Sequence, residues 1–364
     1  MSNFIVNHSL ATLLIFIMLI SHCAYANAQD NLVNQIHREV VAQDIGIGAR
    51  EAGSKAEKNT AKYIIKSFNN MGLNVTEQDF SFGKKDLKSK NIIADTNPLL
   101  KKTIVLGAHY DSTAAKTGSL GATDNGAGLA AMLAIAHSLS SNTTLSYNIR
   151  FIAFGAEEVG LQGSKYYIKQ LASKPEKLDE IVAMINFDTI AGGDFVYVHS
   201  AHTTPYRCDI ENPTYNSNTQ TRQALLNASK HVLGEKEQYV IHPKYKGYPE
   251  GVTGSWSDHA PFACAGIPIA YVESTNFTIN GKAGFDGYSQ SVHPALWDCY
   301  DAKNNTACDR QTEKKWGNIW HSQFDRIDKL SQLFPNRIEK QISNNVKVLI
   351  ELLSNFDQYN QPSH

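Results

Sequence analysis

Apolar runs and amphipathic stretches alternate along most of the chain. Residues 54–70 carry Ala61, Ile64, Ile65 and Phe68 at helical spacing, with Gly72 beyond them as a stop, and predict an amphipathic helix. Short strands are expected over 74–80 and 91–95. Strands and helices then take turns: a strand at 103–107, a helix at 126–139, a strand at 148–154, a helix at 160–172 and a strand at 181–187. Further on, the pattern predicts a helix at 221–233, a buried strand at 267–272 and a C-terminal helix from about Pro335 to Phe356. Such alternation predicts an α/β fold, with a mixed, mostly parallel central sheet and helices on both faces. No linker rich in Pro, Gly or Ser divides residues 30–360, so a single domain is expected over 29–364. Residues 276–318 read as a loop-rich insertion, and loops of that length more often serve function than accident.

The N-terminus departs from this pattern. Ala11 to Ile20 is apolar apart from Thr12, and Ala24-Tyr-Ala-Asn-Ala28 supplies small residues for a cut, which predicts a signal peptide over 1–28. The run is shorter than the roughly 20 apolar residues of a membrane span. No Lys or Arg precedes it, which leaves an uncleaved anchor as the alternative. The expected location is periplasmic or secreted. Beyond Cys23, the chain holds Cys208, Cys264, Cys299 and Cys308, an even number that suits disulfides in an exported protein. Cys299 and Cys308 flank a polar loop and are expected to pair, which leaves Cys208 with Cys264 as the second bridge. No C-x-x-C spacing supports a cysteine zinc site. A formal charge of −1 and the lack of basic runs argue against a nucleic-acid partner.

Candidate chemistry clusters at the ends of the predicted strands. His109-Tyr-Asp111 follows the run at 103–107, Glu157 and Glu158 follow the run ending at Phe154, and Asp188 follows the run from Ile181. Asp124-Asn-Gly-Ala-Gly128 opens an alanine-rich helix, and Trp320-His321 comes late in the chain. Taken singly, Asp124 also fits a turn or helix cap, and the Glu157–Glu158 pair fits a solvated loop. Taken together, His109, Asp124, Glu158, Asp188 and His321 offer the nitrogen and oxygen donors that Zn²⁺ accepts. Metal-assisted hydrolysis needs such a site, because a cation must activate water near neutral pH and polarise the carbonyl.

The ordered set His109-x-Asp111, Asp124-Asn-x-x-Gly128, Gly155-Ala-Glu-Glu158, Asn186-Phe-Asp188, Ser257-Asp-His259 and His321 resembles the co-catalytic zinc aminopeptidases. That family includes exported bacterial leucyl aminopeptidases and is related to glutamate carboxypeptidase II. The likeness covers roughly residues 30–355. Gly247-Tyr-Pro-x-Gly251, Val272-Glu-Ser-Thr-Asn276, Gly287-Tyr288 and the segment from Ile327 to Pro335 add a narrower similarity to one exported bacterial branch.

The resemblance implies two zinc ions per chain. Asp124 would bridge them, with His109 and Asp188 completing one site and Glu158 and His321 the other. His321 is preferred to His293 on its Trp-His-Ser-x-x-Asp context. Glu157 would be the general base that takes a proton from the attacking water and passes it to the leaving amine. Asp111 would orient the His109 imidazole, and His259 would support structure rather than bind metal. Some members carry tyrosine before the last histidine, where this chain has Trp320, leaving Tyr248 and Tyr271 as candidates to polarise the carbonyl.

The implied substrates are peptides or proteins with a free N-terminus. Carboxylates at the centre would hold the α-amino group, with Glu273 a contributor, and the narrower similarity suggests a basic first residue. One rival reading is a single-zinc enzyme like glutaminyl cyclase. Another is a non-catalytic binding protein, against which the full donor set and Glu157 speak. The lack of a G-x-S-x-G elbow disfavours a serine hydrolase.

Overall fold

The computed structural model describes residues 29–42 and 44–361, so the signal-peptide expectation for 1–28 lies outside the described residues. Eight strands form the main sheet: β1 (Asn74–Phe82), β2 (Leu87–Asp95), β3 (Thr103–His109), β4 (Asn148–Phe154), β5 (Ile181–Phe187), β6 (Phe195–Ala201), β7 (Val252–Thr253) and β8 (Ile269–Thr275). Their order is β1-β2-β4-β3-β5-β8-β6-β7. The central run β4-β3-β5-β8 is parallel, flanked by antiparallel β2 and β1 at one edge and by antiparallel β6 at the other. Every residue of β3 is buried, whereas edge strand β1 buries only Phe80 and Phe82. A strand covered on both faces must read as a continuous apolar run, as Thr103-Ile-Val-Leu-Gly107 does.

The α-helices among the described residues are α1 (29–41), α2 (Lys55–Asn70), α3 (Gly128–Leu139), α4 (Gln162–Ala172), α5 (Pro175–Leu178), α6 (Gln220–Leu233), α7 (His259–Cys264), α8 (Ile327–Leu333), α9 (Arg337–Ser354) and α10 (Phe356–Tyr359). Ser54 starts α2 by accepting the Glu57 N–H at 3.1 Å, and the Glu57 carboxylate reaches back to the Gly53 N–H at 2.6 Å. Helix α3 is apolar on nearly all sides, as a helix sandwiched between a sheet and another helix must be. It lies against β3 and α9, whose Ile338, Ile342, Val346, Leu349 and Leu353 form one buried face. On the opposite face of the sheet, Tyr167 of α4 stacks on Phe262 of α7 with ring centroids 5.7 Å apart, and both rings contact Phe154. The α/β expectation therefore holds, with helices on both faces of a mostly parallel sheet. Among the described residues no helix is long and apolar enough to cross a membrane.

Residues 276–318 carry a short turn of helix at Pro294–Leu296 and the hairpin β9 (Tyr300–Asp301) and β10 (Thr306–Ala307). A Cys299–Cys308 disulfide closes that hairpin, and Cys208 bonds to Cys264, the pairing expected from the sequence. From β3 the chain passes through α3 to β4 on one side of β3, then through α4 to β5 on the other. The sheet order thus reverses around β3. Open α/β sheets bind ligands in the crevice outside the carboxyl ends of their strands at such a point.

Candidate metal centre

His109 is the last residue of β3 and is almost wholly buried. Its Nδ1 lies 3.2 Å from the carbonyl oxygen of Asp111, which can only accept, so the proton sits on Nδ1 and Nε2 faces the crevice. The Asp111 carboxylate, 3.7 Å from Nδ1 at its nearer oxygen, accepts instead from the backbone N–H groups of Glu157 (3.0 Å) and Glu158 (3.1 Å). Asp111 thus orients His109 through its main chain and anchors the loop after β4 through its side chain. The second of these roles was not expected.

Asp124 sits in the tight turn at Ala122–Ala127 that leads into α3. Three contacts hold this turn in place. Asp325 accepts from the Thr123 N–H at 2.6 Å and the Thr123 hydroxyl at 2.8 Å, and Asn125 donates its amide to the Phe187 carbonyl at 2.7 Å. Asn125 Oδ1 also accepts from the Gly128 N–H, and a Cβ on Gly128 would come within 2.2 Å of that oxygen, so only glycine fits there.

The five expected donors converge. Asp124 Oδ1 lies 3.3 Å from His109 Nε2, and Asp124 Oδ2 lies 3.0 Å from His321 Nε2. Asp188, just past β5, puts Oδ1 3.3 Å from His109 Nε2, and Glu158 puts Oε2 3.2 Å from His321 Nε2. Glu157 Oε2 stands farther off, 4.0 Å from His109 Nε2. The side chains form two groups able to hold a cation: His109, Glu157 and Asp188, and Asp124, Glu158 and His321. His293 is elsewhere, its ring against Phe334 and its Nδ1 capping a turn of helix. His259 is also outside the groups, bonded to the Gly254 carbonyl at 2.8 Å and packed on Tyr271. The indole N–H of Trp320 points to the Tyr288 carbonyl at 3.4 Å.

Zinc fits this donor set on three grounds. Ligands about 2.0–2.2 Å from a tetrahedral zinc are separated by roughly 3.3–3.6 Å, close to the 3.0–3.3 Å separations found here. Glu158 Oε1 is buried without a hydrogen-bond partner. The third ground is electrostatic. Burial disfavours a charged His109, yet Glu157 and Asp188 drive its pKa well above the ordinary value. His321 rises to about 11 despite burial, through Asp124 and Glu158. Burial and Asp124 push the Glu158 carboxyl up to about 7. So much packed negative charge draws protons onto the imidazoles, and divalent cations would meet the same demand.

One buried group that supports the centre, Arg50, was not singled out from sequence, and Asp258 entered only within the Ser257-Asp-His259 motif. Arg50 is completely buried and donates to the carbonyls of Tyr110 (2.8 Å), Gly48 (2.9 Å), Leu120 (2.9 Å) and Gly121 (2.9 Å). It clasps the loop carrying His109 and Asp111 to the turn carrying Asp124. Burial lowers its pKa to about 10, so it remains charged at neutral pH. Asp258 is buried with both oxygens unpartnered, and burial lifts its carboxyl to about 7. Arg50→Met, which keeps the stem but strands four buried carbonyls, is expected to cost about 3 kcal/mol or more of stability. A urea-unfolding difference below about 1 kcal/mol would show that the clasp is dispensable.

Residues 91–346 match the peptidase family described as Peptidase family M28. The chain belongs to that family. Among curated relatives, the alkaline phosphatase isozyme conversion protein of Escherichia coli is 28% identical over 327 residues, covering 84% of this chain and 85% of its own. Leupeptin-inactivating enzyme 1 of Streptomyces exfoliatus is 28% identical over 287 residues, covering 75% of this chain and 57% of its own. Two solved structures share the fold. A zinc aminopeptidase from Bacillus subtilis aligns with TM-score 0.58 at 17% identity, covering 89% of this chain and 94% of its own. A glutaminyl cyclase from Porphyromonas gingivalis aligns with TM-score 0.58 at 19% identity, covering 91% of this chain and 98% of its own.

Proposed function

We propose that this chain, a zinc-dependent aminopeptidase of family M28, is an exported enzyme that uses two zinc ions to remove N-terminal residues from peptides or proteins. One observation carries the reading: the two oxygens of Asp124 each face a different histidine, at 3.3 and 3.0 Å, and each histidine has its own carboxylate partner. His109, Asp124 and Asp188 would hold one ion, and Asp124, Glu158 and His321 the other. Zinc supplies Lewis acidity, making water a competent nucleophile near neutral pH and polarising the scissile carbonyl. The chain's own residues do the rest. Glu157 lines the cavity beside these donors. It takes the proton of the attacking water and delivers it to the departing amine. Asp111 keeps Glu157 in place through the backbone and keeps the His109 ring oriented.

Tyr248 and Tyr271, the expected candidates to polarise the carbonyl, both line the cavity, as do Tyr245 and Tyr288. Asp286 and Tyr288 come from the 276–318 insertion and line the same cavity, so the insertion acts as a wall that narrows entry. Export accords with the two disulfides and the apolar N-terminal run. A preference for a basic first residue belongs to the same reading.

The test is a metal-dependence assay on a panel of aminoacyl anilides with N-blocked controls, alongside zinc analysis. The expected result is two zinc equivalents per chain and cleavage that chelation and N-blocking both abolish. Cleavage indifferent to N-blocking would make the enzyme an endopeptidase or another amidohydrolase. One zinc equivalent with glutaminyl cyclisation would make it a cyclase.

A further inference from the structure

The cavity that contains the metal-centre residues extends past them to about 290 Å³. Its lining adds two carboxylates that take no part in the centre, Glu273 and Asp286, and among the described residues includes neither Lys nor Arg. The remaining walls are mainly aromatic, with Tyr245 stacked on Tyr248 at 4.9 Å, Trp256 5.8 Å from Tyr248, and Tyr288 close to Trp320. We infer that this extension is the pocket for the side chain of the substrate's first residue, and that Glu273, aided by Asp286, selects a positively charged one. The inference rests on the aminopeptidase reading above and adds to it the residues that read the substrate.

Glu273 carries most of the argument. It projects from β8, opposite Tyr197 of β6, so a rigid strand fixes its position. Its polar contacts run to Tyr271, whose hydroxyl is 3.5 Å from Oε2, and to His199, whose Nε2 is 2.9 Å from Oε1. That second contact is close but not aligned as a hydrogen bond, and Oε1 is buried without a hydrogen-bond partner. Nor does His199 bring a counter-charge, because burial holds its imidazole down at about 3. Glu273 is therefore a mostly buried carboxyl on a cavity wall, and among the described residues no Lys or Arg forms an ion pair with it. Burial pushes its pKa up to about 8, and a docked cation would favour the charged carboxylate and reverse that shift.

The aromatic faces suit the same guest, since guanidinium and ammonium groups are drawn to ring faces. The family resemblance implies Glu273 as a contributor to holding the α-amino group. Its contacts with Tyr271 and His199, rather than with the centre's donors, assign it to the side chain instead.

The deciding experiment measures kcat/KM of the zinc-loaded enzyme on arginyl, lysyl, leucyl and methionyl anilides, for the wild type, Glu273→Gln and Asp286→Asn. The wild type is expected to favour the basic substrates, and Glu273→Gln to lower the arginyl-to-leucyl ratio by about 10–100-fold, mostly through KM. Asp286→Asn should move the ratio the same way by less. Butylguanidinium, the side chain alone, should compete with substrate in the wild type and lose affinity in both variants. A wild type that cleaves leucyl and arginyl anilides alike, or a ratio and butylguanidinium affinity unmoved by both substitutions, overturns the inference. If Glu273→Gln does not fold, Asp286→Asn and butylguanidinium decide the matter. If no anilide is cleaved at all, the aminopeptidase reading fails. Calorimetric binding of butylguanidinium that weakens in Asp286→Asn would still uphold a cation pocket, and lack of binding would dismiss it.

Discussion

Glu157→Gln is expected to keep its zinc and lose about 10²–10⁴-fold in kcat, the usual contribution of a positioned proton-transfer group. The substitution preserves volume and hydrogen-bonding shape but removes the ability to take a proton. The backbone should not move, because Asp111 grips the Glu157 and Glu158 N–H groups rather than the Glu157 side chain. Burial, reinforced by Asp258, Asp188 and Glu158 against the opposing pull of His109, sets the Glu157 carboxyl well above its ordinary range. A carboxylate so placed holds a proton readily. The experiment pairs kcat on a saturating anilide with zinc analysis of the same preparation. Unchanged turnover would remove Glu157 from proton transfer. Lost zinc would instead make it a ligand, a role its grouping with His109 and Asp188 keeps open to test.

The positions of His109, Glu158 and Asp188 were legible because a parallel sheet imposes order. Strands buried on both faces announce themselves as apolar runs, and the first polar residues after them face a common crevice. Asp124 was legible for a different reason, since Asp-Asn-Gly before an alanine-rich helix marks a tight turn at its start. His321 was harder. It is brought to Asp124 by the loop between the insertion and α8, and no periodicity predicts where such a loop returns.

Strand β6, Phe195-Val-Tyr-Val-His-Ser-Ala201, was missed although it is as long as β3 and its Phe, Val and Tyr residues favour a strand; its pairing with β8 and β7 places it in the sheet. Helix α1 adjoins the predicted leader, although Val33, Ile36 and Val40 keep helical spacing. Arg50 left no signal at all. A guanidinium whose partners are four backbone carbonyls has no side-chain motif to betray it.

Asp124→Ala is expected to take zinc from two equivalents per chain towards none and turnover to background. Other ligand substitutions should act mainly on one ion. The reason is geometric: its two oxygens serve different groups, so deleting one side chain removes a donor from each. The turn itself should survive, because Asp325 holds Thr123 and Asn125 holds Phe187 without help from the Asp124 carboxylate. Loss of metal then becomes loss of stability, since an ion that binds only the folded chain stabilises it by RT ln(1 + L/Kd), with L the concentration of free ion. Wild type treated with chelator and Asp124→Ala should therefore melt close together, both below the zinc-loaded wild type. Asp188→Ala, which strips a donor from the His109 group alone, should retain about one equivalent. An Asp124→Ala protein that still carries one tightly held zinc would mean that Asp124 serves a single ion, and the paired centre would have to be redrawn around separate sites.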